Sequence, residues 1–84
     1  MDFKAKVLAV TRSIPKGKTM SYGEVAKKAG RPKAARAVGT LMAHNHDLTV
    51  PCHRVIRADG TVGAYNGLRG TSKEALLRAE GALQ

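Results

Sequence analysis

Two helix boundaries written into residues 21–32 constrain this chain more than any other feature of it. Ser21-Tyr22-Gly23-Glu24 has the pattern of a capping box: the serine hydroxyl can accept from an amide of the first turn, and the glutamate three residues on can reach back to the serine amide. A short helix beginning there ends at Gly30. Pro32 suits the first turn of a second helix that runs through Ala34, Ala35, Val38, Leu41 and Met42 to about Asn45. Two helices separated by a turn of about three residues make a helix-turn-helix candidate. In a chain of 84 residues there is room for one small core around them.

The remaining segments supply short supports. Phe3, Val7, Leu8 and Val10 recur at near-helical spacing toward Ile14, where Pro15 and Gly17 stop the helix, and Thr19-Met20 reads as a short extended link. Beyond the pair, Leu48-Thr49-Val50 reads as extended, Pro51 keeps the chain out of helix, Val55-Ile56 reads as a buried anchor and Ala58-Asp59-Gly60 as a turn. Gly63-Ala64-Tyr65-Asn66-Gly67 is a second glycine-rich loop. Thr71 and Glu74 repeat the capping-box pattern and open a last helix that buries Leu76, Ala79 and Leu83, with Gly81 near its end. The expected fold is mainly α: a single winged helix-turn-helix-like domain over residues 1–84, with a short β element and an active-site loop.

Charge narrows the partners. The net charge of +9 lies entirely in residues 1–58, which hold twelve Lys and Arg against three Asp and Glu, whereas residues 59–84 balance to zero. Lys27, Lys28, Arg31, Lys33 and Arg36 form a dense basic run suited to a phosphate backbone, with a solvated basic face as the plainer alternative. No apolar run approaches the roughly 20 residues needed to span a bilayer, so no membrane partner is expected. The single cysteine allows no intramolecular disulfide, and the first residues show no signal-peptide pattern, which makes a reducing cytoplasmic setting the default.

That cysteine sits in Pro51-Cys52-His53-Arg54-Val55, beside an imidazole and a guanidinium. Neighbouring positive charge stabilises a thiolate, the nucleophilic form, and marks Cys52 as a candidate reactive centre; a small buried apolar side chain is the alternative. The second helix of the pair is unusually poor in side-chain bulk, with Ala34, Ala35, Ala37, Gly39 and Ala43, and Arg36 is nearly its only long polar residue. It suits close docking with one inserted arginine better than base-by-base reading of a major groove, although small residues can equally serve packing inside a protein. A metal site built from His44, His46, Cys52 and His53 matches no common zinc spacing, and no metal is expected.

Four segments together resemble a known family: Lys18-Thr19-Met20-Ser21-Tyr22-Gly23-Glu24-Val25-Ala26, Pro32-Lys33-Ala34-Ala35-Arg36-Ala37-Val38-Gly39, Pro51-Cys52-His53-Arg54-Val55, and Gly60-Thr61-Val62-Gly63-Ala64-Tyr65. In this order and spacing they look like the C-terminal, DNA-binding and active-site domain of the O6-alkylguanine-DNA alkyltransferases. The resemblance implies binding to double-stranded DNA through the minor groove, extrusion of an O6-alkylguanine, and irreversible transfer of its alkyl group to the cysteine. It implies no cofactor and a monomer, cytoplasmic or, in a eukaryote, nuclear.

By the same resemblance Cys52 is the acceptor nucleophile, His53 takes its proton through a water, and Glu80 orients the imidazole. Read alone, Glu80 would be a solvated helix end. Tyr22 resembles the tyrosine that crowds the target phosphate and donates to the base, where composition alone suggests a half-buried core aromatic. Arg36 resembles the arginine that fills the gap left in the stack. Asn45 resembles the residue joining the recognition helix to the active-site loop, with a left-handed helix cap as the local alternative. Asn66 is a candidate contact for the leaving oxygen, and Ala35, Gly39, Arg54, Tyr65 and Lys73 complete the DNA- and base-binding set.

The chain departs from the family pattern in three places. It begins almost at the first helix of that domain, as a minimal protein would. The segment between Asn45 and Cys52 is a residue shorter than usual and lacks the customary Asn-Pro step, and the loop between Tyr65 and Lys73 is a residue longer. A second class of function also fits the short chain: alkyltransferase-like proteins bind lesions and flag them for excision repair without catalysis, and in them the cysteine is commonly replaced by tryptophan.

Overall fold

In a computed structural model, which describes residues 2–60 and 73–82, the chain runs through helix α1 (Phe3–Arg12), strand β1 (Met20–Ser21), helix α2 (Tyr22–Lys28), helix α3 (Ala35–Ala43), a 3₁₀ turn (Cys52–Arg54), strand β2 (Val55–Ile56) and helix α4 (Lys73–Ala79). The capping box forms as expected. Ser21 Oγ accepts from the Glu24 amide at 3.0 Å, and Glu24 Oε1 accepts from the Ser21 amide at 3.2 Å, which fixes where α2 begins. The two strands pair in parallel, Met20 opposite Val55 and Ser21 opposite Ile56, so the approach to α2 is locked beside the exit from the cysteine turn.

The core is the meeting of the inner faces of α1, α2 and α3. Val7 and Ile14 from the first helical segment, Val25, Ala26 and Ala29 around α2, and Val38 and Met42 from α3 close on Val55 and Cys52. Thr11 is buried among them because its hydroxyl donates back to the Val7 carbonyl at 2.8 Å, which satisfies the polar group locally. Among the described residues no helix is long and apolar enough to cross a membrane.

Several boundaries differ from the sequence expectation, each for a local reason. α1 stops at Arg12, and residues 13–14 form a turn in which Ser13 and Ile14 donate to carbonyls three or four residues back. The extended link falls at Met20–Ser21, where a strand partner exists, and not at Thr19-Met20. Pro32 is not in the first turn of α3: the Ala34 amide donates to the Arg31 carbonyl at 3.0 Å, so Pro32 sits in a separate turn and α3 starts at Ala35. The helix ends at Ala43. Asn45 is not a left-handed cap, since the described residues with positive φ are all glycines. Leu48-Thr49-Val50 is a turn and bend, because Asp47 captures both the amide and the hydroxyl of Thr49, at 2.9 and 2.7 Å. α4 buries Lys73 and Leu77 and leaves Ala79 exposed. Thr71, Leu83 and the loop of residues 63–67 lie outside the described residues.

Candidate active site and nucleic-acid interface

The cysteine turn is built by its flanks. Pro51, at φ −78° and ψ 65°, admits a single 3₁₀ turn closed by the Arg54 amide donating to the Pro51 carbonyl at 2.9 Å. Val50 and Val55 are fully buried on either side and Cys52 itself is 2% exposed, so the thiol is held inside the fold.

The next two residues of the turn reach α4. His53 Nε2 lies 3.0 Å from Glu80 Oε2, while Arg54 closes a fork on the same carboxylate, Nε to Oε1 at 2.9 Å and Nη2 to Oε2 at 2.7 Å, and donates through Nη1 to the Ile14 carbonyl at 2.9 Å. Glu80 is delivered there by the helix end. Gly81, at φ +81°, lets the Ala82 amide turn back to the Leu77 carbonyl at 2.9 Å and its own amide to Arg78 at 3.0 Å, a Schellman closure that leaves Glu80 at the C-cap. A carboxylate at a helix C-terminus opposes the helix dipole, and the guanidinium fork offsets that cost. Close packing completes the frame: Gly17, at φ +88°, lies where a Cβ would meet the Glu80 carbonyl oxygen at 3.1 Å.

The hydrogen bonds from Arg54, then that from His53, hold the Glu80 carboxyl down to about 2. An ionised carboxylate only accepts, so a neutral His53 carries its proton on Nε2 and its basic lone pair on Nδ1. Stability follows from the sign of the shift. The contribution of a carboxyl depressed from 4.5 to about 2 is complete above pH 4.5 and is lost as pH falls toward 2. We expect Glu80→Gln to cost on the order of 2 kcal/mol at neutral pH and to flatten the acid limb of thermal melts; an unchanged acid limb would rule out the pairing.

A second pair lies within electrostatic reach of Cys52. Lys73 is 3% exposed, its Nζ donates to Tyr22 Oη at 3.1 Å, and the ammonium stands 5.3 Å from the centre of the Tyr22 ring. Burial lowers Lys73 to about 8, against the opposing pull of negative charge on Cys52 and with Arg57 adding to the lowering; burial also raises the Tyr22 phenol. Tyr22, Lys73 and Cys52 therefore share one electrostatic neighbourhood. Because an ammonium can only donate, the Tyr22 hydroxyl proton is left for an acceptor elsewhere.

Tyr22 also faces an open groove of about 850 Å³. One wall is α3, whose Ala35, Gly39 and Ala43 fall four residues apart on the groove side, while Val38 and Met42 face the core. Ala35, Gly39 and Ala43 thus line the groove, whereas Ala34 packs against the core and Ala37 is exposed outside it. A Cβ at Gly39 would touch the Tyr22 ring at 4.0 Å, so a longer side chain there would lie over it. Arg36 is exposed on this wall, and Tyr22, Gly23, Arg57 and Ala58 complete the lining. Lys27, Lys28, Arg31 and Lys33 are exposed at the end of α2 and in the turn before α3, with Arg31 5.1 Å over the Phe3 ring.

Asn45 is buried just after α3, where its side chain accepts from the Asp47 amide at 3.2 Å and donates to the Asp47 carbonyl at 3.1 Å. Asp47 in turn pairs with Arg12 of α1 at 3.0 Å. The loop leading to Cys52 is thereby fastened at both α3 and α1 where the family's Asn-Pro step is missing.

Of the residues expected to act, the fold brings His53 and Glu80 into contact, sets Tyr22 and Lys73 beside Cys52, and places Ala35, Arg36 and Gly39 on one groove wall. It departs from expectation at two of them. Arg54, expected among the DNA contacts, turns inward to Glu80 and Ile14, and Lys73, expected in the same DNA- and base-binding set, is buried against Tyr22. His44 and His46 are exposed after α3, whereas His53 is buried against Glu80. Tyr65 and Asn66 lie outside the described residues. Sequence reasoning missed Arg57, for which no local signal exists, and the Asp47 latch, for which the Asp-x-Thr pattern was a signal.

A helix-turn-helix whose second helix lines a groove beside a buried cysteine defines a domain of the DNA-binding class that carries a thiol. Residues 2–82 match the family described as 6-O-methylguanine DNA methyltransferase, DNA binding domain, and the chain belongs to that family. It is 48% identical over 83 residues to the methylated-DNA--protein-cysteine methyltransferase of Shigella flexneri, which covers 96% of this chain and 47% of that protein. Among solved structures it is similar to Mycobacterium tuberculosis OGT in complex with DNA, at 46% identity and TM-score 0.83 over 95% of this chain and 49% of that one. It is also similar to Schizosaccharomyces pombe Atl1 in complex with damaged DNA containing O6-carboxymethylguanine, at 40% identity and TM-score 0.81 over 94% of this chain and 75% of that one. The chain spans about half the length of the curated methyltransferase it matches.

Proposed function

We propose that residues 1–84 form one domain, of the kind that stands C-terminal in the family's enzymes, that repairs alkylated DNA by direct reversal: it turns an O6-alkylguanine out of the duplex and moves the alkyl group to Cys52, once per molecule. The observation that carries the reading is the buried cysteine together with a histidine held by an ionised carboxylate and a tyrosine that opens onto a groove. The Cys52 proton passes to His53 through a water, Glu80 orients the imidazole and Arg54 holds Glu80 in place. The thiolate attacks the alkyl carbon in line. The S–C bond forms as the C–O6 bond breaks, the electron pair remains on guanine, and guanine takes up a proton as it leaves.

Tyr22 donates to the base in the pocket, with Lys73 against its oxygen, so the charge developing on the leaving group meets a positioned donor. Ala35 and Gly39 allow α3 close to the minor groove, Arg36 enters the stack in place of the extruded base, Asn45 ties α3 to the active-site loop, and Tyr65 and Asn66 meet the base and its oxygen. The step consumes no cofactor, the protein acts as a monomer, and its setting is cytoplasmic, or nuclear in a eukaryote. The test is incubation with a duplex carrying O6-methylguanine, followed by intact mass and peptide mapping. One methyl group should appear on Cys52 and no more. Repair beyond one equivalent, or methylation elsewhere, overturns the mechanism. Tight lesion binding with no transfer would instead support the lesion-flagging reading.

A further inference from the structure

We infer that Arg57 is a residue that binds a backbone phosphate at the groove lined by α3; the inference rests on the duplex-binding reading above. The described arginines divide cleanly. Arg12, Arg54 and Arg78 are held by Asp47, Glu80 and Glu74, at 3.0, 2.7 and 2.6 Å, and Arg31 stacks on Phe3. Arg36 and Arg57 make no such pairing among the described residues, and both line the same groove.

The sheet register explains how Arg57 comes to stand there. Parallel pairing sets Ser21 opposite Ile56, so the residues that follow, Tyr22 and Arg57, leave the two strands side by side. The turn after β2 is closed by the Gly60 amide donating to the Arg57 carbonyl at 3.0 Å, which keeps Arg57 at the groove rim, exposed. Its charge reaches both Tyr22 and the buried Lys73, and it disfavours the ammonium form of Lys73. A second cation near a buried lysine disfavours the charged form of that lysine, and an anion entering the groove would relieve this. In a duplex-binding groove that anion is a backbone phosphate, and a guanidinium fork matches it in two hydrogen bonds where an ammonium acts as a point charge.

The experiment measures binding of an undamaged duplex as a function of salt for the wild-type chain and for Arg57→Ala, Arg57→Lys and Arg78→Ala, the last an exposed arginine outside the groove, with circular dichroism to verify folding. Neutralising one phosphate contributes about 0.9 to the slope of log Kobs against log salt. Arg57→Ala should lose that amount, Arg57→Lys should keep it, and Arg78→Ala should leave the slope as it is. A wild-type slope that Arg57→Ala does not change, or changes no more than Arg78→Ala does, overturns the assignment of Arg57. Should the wild-type protein show no salt-dependent duplex binding at all, the functional reading fails first, and the two failures are distinguishable.

Discussion

Cys52→Ser is expected to abolish the proposed methyl transfer and to leave duplex binding in place. A serine hydroxyl occupies nearly the same volume but does not ionise near neutral pH, so the nucleophile is lost while the buried turn and its valine flanks keep their packing. The expected loss is on the order of a million-fold in the rate of a single turnover, the scale found when a catalytic nucleophile is removed. The variant should bind O6-methylguanine duplex with the affinity of the wild type in a gel-shift or anisotropy titration. Residual transfer within ten-fold of the wild-type rate would show that another residue accepts the alkyl group.

Arg36 carries the second large effect. Its proposed task is to occupy the vacated stack, and α3 presents it to the groove among residues too small to do so. Lys keeps the charge but is a compact hydrated ammonium that neither stacks nor bonds as a planar fork; Ala loses both properties. Unstacking costs a few kcal/mol, and each 1.4 kcal/mol is ten-fold in rate, so Arg36→Ala should transfer from duplex DNA about 100-fold more slowly, with Arg36→Lys between it and the wild type. Reaction with free O6-benzylguanine, which needs no extrusion, should fall far less, if that base is accepted. Equal loss on both substrates would mean that Arg36 supports the fold or pocket, and the wedge role would be withdrawn.

How far the site can be read ahead of the fold depends on how far apart its parts lie in sequence. The turn that bears Cys52 and His53 is legible because both residues are adjacent and Pro51 and the valines act on their own neighbours. The partner of His53 is 27 residues away and that of Tyr22 is 51 away, and only the family resemblance singled them out. What the resemblance does not convey is direction: Arg54 and Lys73 belong to its DNA- and base-binding set, and in the fold Glu80 and the packing of α4 draw both inward. Leu48-Thr49-Val50 reads as extended because β-branched residues carry that preference on average, and a single aspartate two residues before Thr49 offers a turn in its place.

By itself the amino-acid sequence determined the events that act over one or two turns of chain. These are the capping box at Ser21, the helix stops near Gly17 and Gly30, the glycine that leaves Glu80 at a helix end, the charge concentrated before residue 58, and a lone cysteine beside a base. Each of these rests on a backbone preference or a hydrogen bond between near neighbours, so no distant residue has a vote. The tertiary structure alone decided that α3 turns Ala35, Gly39 and Ala43 to a groove and Val38 and Met42 to the core, that Arg54 and His53 share one carboxylate, that Lys73 lies against Tyr22, and that Arg57 joins Arg36 in lining one groove. Those placements follow from burying the inner faces of the helices and from pairing two strands of two residues each, β1 and β2, whose register no local preference specifies.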